Sequence, residues 1–116
     1  SIQGRADDII YGRRSNGTHF IYPDYIVRAI ISCSDDIDDF QVIQNDLDSL
    51  DLYISLFNKK NNKHLEKKLS SAIEFIFKKY GCETPKIRIQ YKKPEANKNS
   101  NKLSRVISRL KYNEKN

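Results

Sequence analysis

Apolar positions along the chain fall into short alternating runs and two longer runs of near-helical period. Asp8-Ile9-Ile10-Tyr11 and His19-Phe20-Ile21 bracket a turn-forming stretch at residues 12–18, which predicts a β-hairpin. Tyr22-Pro23-Asp24 then opens a helix, because proline suits the first helical position and an acid suits the positive end of the helix dipole. Ile26, Ile30 and Cys33 follow at i, i+4 and i+7 as its buried stripe. The acidic run at residues 34–39 predicts an exposed loop that ends it, since like charges this dense are best solvated.

Phe40-Gln41-Val42-Ile43-Gln44 reads as a strand and residues 45–49 as a turn. Leu50, Leu52, Ile54 and Leu56 alternate strictly, as a half-buried strand pairing back on the first requires. Asn61 or Asn62 can cap a second helix with the stripe Leu65, Leu69, Ala72, Ile73, Ile76 and Tyr80, which Gly81 stops. Residues 86–91 form a strand with Ile87, Ile89 and Tyr91 on one face and Lys86, Arg88 and Gln90 on the other; Pro94 breaks it. Residues 95–101 are polar, and residues 103–110 suit a short terminal strand or helix. The order predicts an α+β domain: a small three-stranded sheet with two packed helices, preceded by a separate β-hairpin.

A chain of 116 residues makes one domain with one modest core. It contains no apolar run long enough for a membrane span and no signal-peptide pattern, so the expected location is cytoplasmic. Cys33 and Cys82 lie far apart inside apolar segments, without metal-ligand spacing. Asn16-Gly17-Thr18 has the form of a glycosylation acceptor but reads as a Gly-containing turn. The chain has no methionine and begins at Ser1-Ile2-Gln3-Gly4, which reads as a piece of a longer polypeptide.

The net charge of +6 is unevenly spread: residues 1–58 hold four Lys or Arg against ten Asp, residues 59–116 seventeen against five Asp or Glu. A basic half suits a nucleic acid or another polyanion, or a solvated surface in a lysine-rich proteome. Residue types alone assemble no active site. His19 and His64 are isolated, and Asp7 and Asp8, adjacent on a strand, would face opposite ways.

Two segments at opposite ends of the chain change this picture. Gly4-Arg5-Ala6-Asp7-Asp8-Ile9-Ile10 resembles the Gly-Arg-x-Asp-Asp-x-(Ile/Leu) hinge motif that opens the C-terminal domain of adenylate-forming enzymes. Residues 100–108, Ser-Asn-Lys-Leu-Ser-Arg-Val-Ile-Ser, resemble the Ser-Gly-Lys-x-x-x-Val-(Ile/Leu)-Ser ending of the phenylacetate–CoA ligase branch, particularly its capsular polysaccharide-associated variants. Phe40-Gln41-Val42-Ile43-Gln44 is similar to the Phe/Tyr-Gln-Val-(Val/Ile)-Gln strand of that branch. The resemblance spans essentially the whole chain. It implies a C-terminal lid domain with hinge and hairpin at 4–21, an α+β body at 22–93 and a tail at 94–116 that carries a catalytic lysine.

The implied reaction has two steps. A carboxylic acid and ATP give an acyl-adenylate and pyrophosphate, and the acyl group then passes to CoA, a carrier-protein thiol or another nucleophile. ATP and Mg would be held mainly by an N-terminal domain absent from this chain, so the fragment alone would be inactive. Lys102 matches the catalytic lysine, Asp7 the hinge residue and Arg5 an arginine near the nucleotide. Arg13 and Arg14 lie on the hairpin that faces the active site in the second step, where they would meet the phosphates of CoA or remain exposed turn residues. Asn101 stands where the family has glycine; asparagine tolerates a left-handed backbone better than most residues. Two alternatives stay open: a small basic binding module for RNA or another polyanion, and a ligase-like domain that has lost catalysis.

Overall fold

The computed structural model of the protein describes residues 7–94 and 104–110. Strands β1 (Ile10–Arg14) and β2 (Gly17–Ile21) form the antiparallel hairpin, closed by Ser15-Asn16 with Arg14 opposite Gly17. Helix α1 (Pro23–Ile31) has its proline at the first turn and Asp24 beside it, and buries Ile26, Val27 and Ile30. Strands β3 (Ile37–Asp46) and β4 (Ser49–Leu56) pair antiparallel, with bulges between Ile37 and Asp39 and between Gln44 and Asp46. Helix α2 (Lys63–Lys79), β5 (Lys86–Tyr91) and β6 (Val106–Ser108) complete the order.

Both ends of α2 are finished by side-chain or backbone bonds that the sequence supplies. The Asn62 side chain accepts from Leu65 N at 3.0 Å, which satisfies one of the orphan donors of the first turn. At the other end Gly81 takes φ +72°. Gly81 N donates to Lys78 O at 2.9 Å and Cys82 N to Phe77 O at 2.9 Å, the paired bonds by which a left-handed glycine closes a helix. Between them α2 buries Leu65, Leu69, Ile73, Ile76 and Phe77, each worth about 1.5–3 kcal/mol of apolar burial.

The main sheet has the order β5-β4-β3-β6, with β5 parallel to β4 and β6 parallel to β3. Parallel neighbours need a crossover of a dozen or more residues, and α2 supplies it between β4 and β5. The inward row Phe40, Val42, Leu50, Leu52, Ile54 and Leu56 joins α1 and α2 in one core, which Ile10 and Ile21 of the hairpin also enter. No helix among the described residues is long and apolar enough to cross a membrane.

The α+β class and the two helices agree with the sequence, but three expectations need correction. The main sheet has four strands, because residues 106–108 add a strand beside β3. The acidic run does not stay in a loop: β3 begins at Ile37, and its carboxylates find partners, Asp38 at Ser55 Oγ (3.4 Å) and Lys93 Nζ (3.5 Å), Asp39 at Arg105 Nη2 (3.8 Å). The expected turn at 45–49 contracts to Leu47-Asp48, since β3 runs through Asp46. The hairpin forms its own two-stranded sheet yet is bound to the body through β1.

Candidate functional site

The site is the place where the two family-like segments meet. Residues 7–9 precede β1 outside any strand, so Asp7 and Asp8 are not held to opposite faces as strand geometry would hold them. Both carboxylates turn instead onto the backbone of β6 and its approach. Asp7 Oδ1 accepts from Arg105 N at 2.7 Å and Val106 N at 3.1 Å, and Asp8 Oδ2 accepts from Ser108 N at 2.8 Å. Asp8 N donates to Val106 O at 2.9 Å. Hydrogen bonds to a carboxylate are stronger than neutral ones, so these two acids fasten a strand of three residues that could not hold itself.

The other flank of the segment is fastened to β3. Val42 N donates to Arg105 O at 2.7 Å, Arg109 N to Gln44 O at 2.9 Å, and Gln41 Nε2 to Ser104 O at 2.9 Å. The Arg105 guanidinium lies 5.1 Å from the centre of the Phe40 ring and 3.8 Å from Asp39. Residues 104–109 are thus gripped between the start of the chain and β3.

Gln44 ties the hairpin to the same strand. Its side chain is fully buried; Oε1 accepts from Tyr11 N at 3.0 Å and Nε2 donates to Tyr11 O at 2.7 Å. A primary amide used this way stands in for a neighbouring strand, since it offers the outward side of β1 one donor and one acceptor. The next outward group, Arg13 O, accepts from Glu83 N at 2.8 Å. Gly12 lies against the chain beyond α2: a Cβ there would stand 2.5 Å from Cys82 Sγ and 2.7 Å from Cys82 Cβ.

Both hairpin arginines have partners. Arg13 Nε and Nη2 reach Asp48 at 3.0 and 2.9 Å. That hydrogen bond, and then the Asp48 charge, raises Arg13, while Arg13 holds the Asp48 carboxyl below its ordinary value. Arg14 Nε and Nη2 donate to Tyr80 O at 3.0 and 2.7 Å, placing a cation at the negative end of α2. At about 3.3 Å per strand residue, Arg14 is roughly 13 Å along β1 from Ile10, so the arginines are not gathered with the Asp7 junction.

The basic strand β5 is also engaged. Arg88 grips the buried Asp51 at 2.8 and 3.2 Å, and Asn45 Nδ2 reaches the same carboxylate at 2.8 Å. Tyr91 turns towards α2: its hydroxyl donates to Glu66 at 2.7 Å and accepts from Asn62 N at 2.8 Å. Burial first, and Glu66 with it, raises the Tyr91 phenol.

Of the residues singled out from sequence, Asp7, Arg13 and Arg14 are described; Arg5 and Lys102 lie outside the described residues. Sequence reasoning missed Gln44, Asp8 and Arg105 as parts of the junction. Gln44 left a signal, a polar residue on the inward row of Phe40 and Val42; Asp8 and Arg105 left none beyond the motifs. Among the described residues no three His, Cys, Asp or Glu side chains gather to hold a metal. What the arrangement does is mechanical: Asp7 and Asp8 are made one piece with residues 105–108. Comparison with known protein families, curated proteins and solved structures finds no match.

Proposed function

We propose that this chain is the C-terminal lid domain of an ATP-dependent carboxylate-activating ligase of the phenylacetate–CoA ligase kind. One observation carries the proposal. The segments resembling the family's hinge and its lysine-bearing ending, 98 to 100 residues apart, are joined by three backbone N–H donors on the carboxylates of Asp7 and Asp8.

A lid that swings between two positions must return its lysine to the same point, because a misplacement of about 1 Å can cost a hundredfold in rate. Rotation about the backbone at Asp7 would carry residues 105–108 with it while the Asp7 carboxylate stays on Arg105 N and Val106 N. In the first step a carboxylate oxygen attacks the α-phosphorus and the bond to pyrophosphate breaks. The Lys102 ammonium is assigned the charge that grows there, and Arg5 the ribose or phosphate oxygens. In the second step a thiolate attacks the acyl carbonyl and AMP leaves. Arg13 and Arg14 would serve CoA by exchanging Asp48 and Tyr80 O for its phosphates. ATP and Mg are assigned to the N-terminal domain.

The polyanion reading has less to draw on. Its best aromatic, Tyr91, turns its hydroxyl to Glu66, and Arg88 and Lys93 are already paired with Asp51 and Asp38.

The test is ATP–pyrophosphate exchange by the full-length parent, with and without Lys102→Ala, over a panel of aryl and acyl carboxylates. Exchange should fall by about 10²–10³ in the variant, the cost of removing one charge-stabilising group. Exchange indifferent to the substitution would take the role from Lys102. No exchange with any acid would favour the ligase-like domain without catalysis, and tight RNA binding with a steep salt dependence would replace the ligase reading.

A further inference from the structure

Helices α1 and α2 leave an open groove of about 720 Å³ between them, lined by none of the residues of the Asp7 junction. Its floor is apolar: Ala29 and Cys33 from the α1 side, Ala72 and Ile76 from α2. Phe75, 67% exposed, and Tyr25, 46% exposed, stand at its lips. Its rim is cationic, with Arg28, Lys67, Lys68 and Lys79 beside His64. The ion pairs among the described residues involve Arg13, Arg88, Lys93 and Arg105, so none of these rim groups faces a paired carboxylate there.

We infer that this groove docks an acidic amphipathic helix of a partner protein. Shape is the first reason. The lining residues follow the i, i+3/i+4 rows of α2 from His64 to Tyr80, about 24 Å at 1.5 Å per residue. The α1 wall, Tyr25 to Cys33, flanks about 12 Å of that length, so about two turns of a docked helix lie between both walls. An open trough of this kind suits a helix laid along α2 better than a compact ligand enclosed by its site. Charge is the second reason. An apolar floor between cationic rims is complementary to an apolar stripe flanked by Glu or Asp. It is not complementary to this chain's own remaining segments, since residues 95–103 and 111–116 are polar and carry more Lys than Glu. The inference uses none of Arg5, Asp7, Arg13, Arg14 or Lys102, and stands apart from the ligase proposal.

The test is a titration of the ¹⁵N-labelled 116-residue chain with a designed helical peptide of about five heptad-like turns, Leu along one stripe and Glu on both flanks. The controls are the same residues scrambled and the same peptide with Lys in place of Glu. Amide shifts should concentrate at Ala29, Ala72 and Phe75, and affinity should fall with salt. Phe75→Ala should weaken binding about tenfold by loss of apolar contact. Lys67→Glu with Lys79→Glu should weaken it about tenfold by replacing two attractions with repulsions. Both variants alter exposed positions, and unchanged circular dichroism and thermal melting verify the fold. The inference is overturned by no shifts at roughly millimolar peptide, by equal binding of either control, by shifts centred elsewhere, or by self-association of the chain through this face. None of these readouts requires adenylation, so they separate the two proposals.

Discussion

Replacing Gln44 by leucine should cost far more than its nearly equal size suggests. The amide makes two hydrogen bonds to one residue, at 3.0 Å from Tyr11 N and 2.7 Å to Tyr11 O, with no exposure to solvent. Each partner left buried against an apolar group costs about 1–3 kcal/mol, more than the roughly 0.5–1.5 kcal/mol that a hydrogen bond contributes net. Leucine's better burial offsets roughly 1 kcal/mol of this. The expected loss for Gln44→Leu is therefore about 3 kcal/mol, a large share of the stability of a domain this size. With a urea slope of about 1.5 kcal/mol/M, the unfolding midpoint, followed by circular dichroism, should fall by about 2 M. Gln41→Leu is the control: its amide donates to Ser104 O at 2.9 Å, and losing that bond should cost about 1 kcal/mol. Gln44→Glu adds a signature in pH. A protonated carboxyl can donate to Tyr11 O and accept from Tyr11 N as the amide does, whereas the ionised form has no donor. Its folded pKa is then raised above the ordinary value of about 4.3, so stability is close to wild type below that value and is lost as pH rises through the folded one. A Gln44→Leu cost under about 0.5 kcal/mol, or a Gln44→Glu variant with no pH dependence beyond wild type, would refute the reasoning.

Asp7→Ala removes Oδ1, the oxygen that accepts from both Arg105 N and Val106 N, and should cost about 2–3 kcal/mol; hydrogen exchange of those two amides should quicken more than that of the α2 amides, and equal protection would count against the clip. Gly12→Ala drives a methyl to 2.5 Å from Cys82 Sγ and should cost about 1–3 kcal/mol, a drop of roughly 5–10 °C in thermal melting; an unchanged Tm would mean the contact yields. Arg13→Gln should raise the Asp48 pKa to its ordinary value in a carboxyl NMR titration, since Arg13 is what lowers it. The sign follows: the Asp48 contribution is present above the ordinary value and lost as pH falls through the depressed one, and that acid limb should be missing in the variant.

The elements that rest on local periodicity were legible in the sequence. Ile26, Ile30 and Cys33 line α1 and its end as the spacing requires, and Leu50, Leu52, Ile54 and Leu56 are all buried. Asn62 and Gly81 cap α2 where a cap and a left-handed stop were expected. Phe77, fully buried, escaped the stripe because Tyr80 was read in the same row. What could not be read was whatever depends on partners distant in sequence. A run of acids looks like a loop until Ser55, Lys93 and Arg105 are brought to it. Residues 103–110 suit a short strand or helix, and the choice of strand is made by the bonds that β3 and Asp7 supply to β6. Of the site, the motifs singled out Asp7 but not the use made of its carboxylate, and the hairpin arginines gave no hint that Asp48 and Tyr80 O would engage them.

The clip between the two ends also sets an order of assembly during synthesis. Asp7 and Asp8 leave the ribosome 98 to 100 residues ahead of the amides they bind, a delay of about 5–20 s at ordinary elongation rates. Until residues 104–109 emerge, Val42 N and Gln44 O have none of the bonds they make to that segment, and the flank of β3 is open to a strand from another nascent copy. Translation that stops short of Ser104 would leave that flank open permanently, giving a chain with its core in place but for Val106 and a built-in tendency to aggregate.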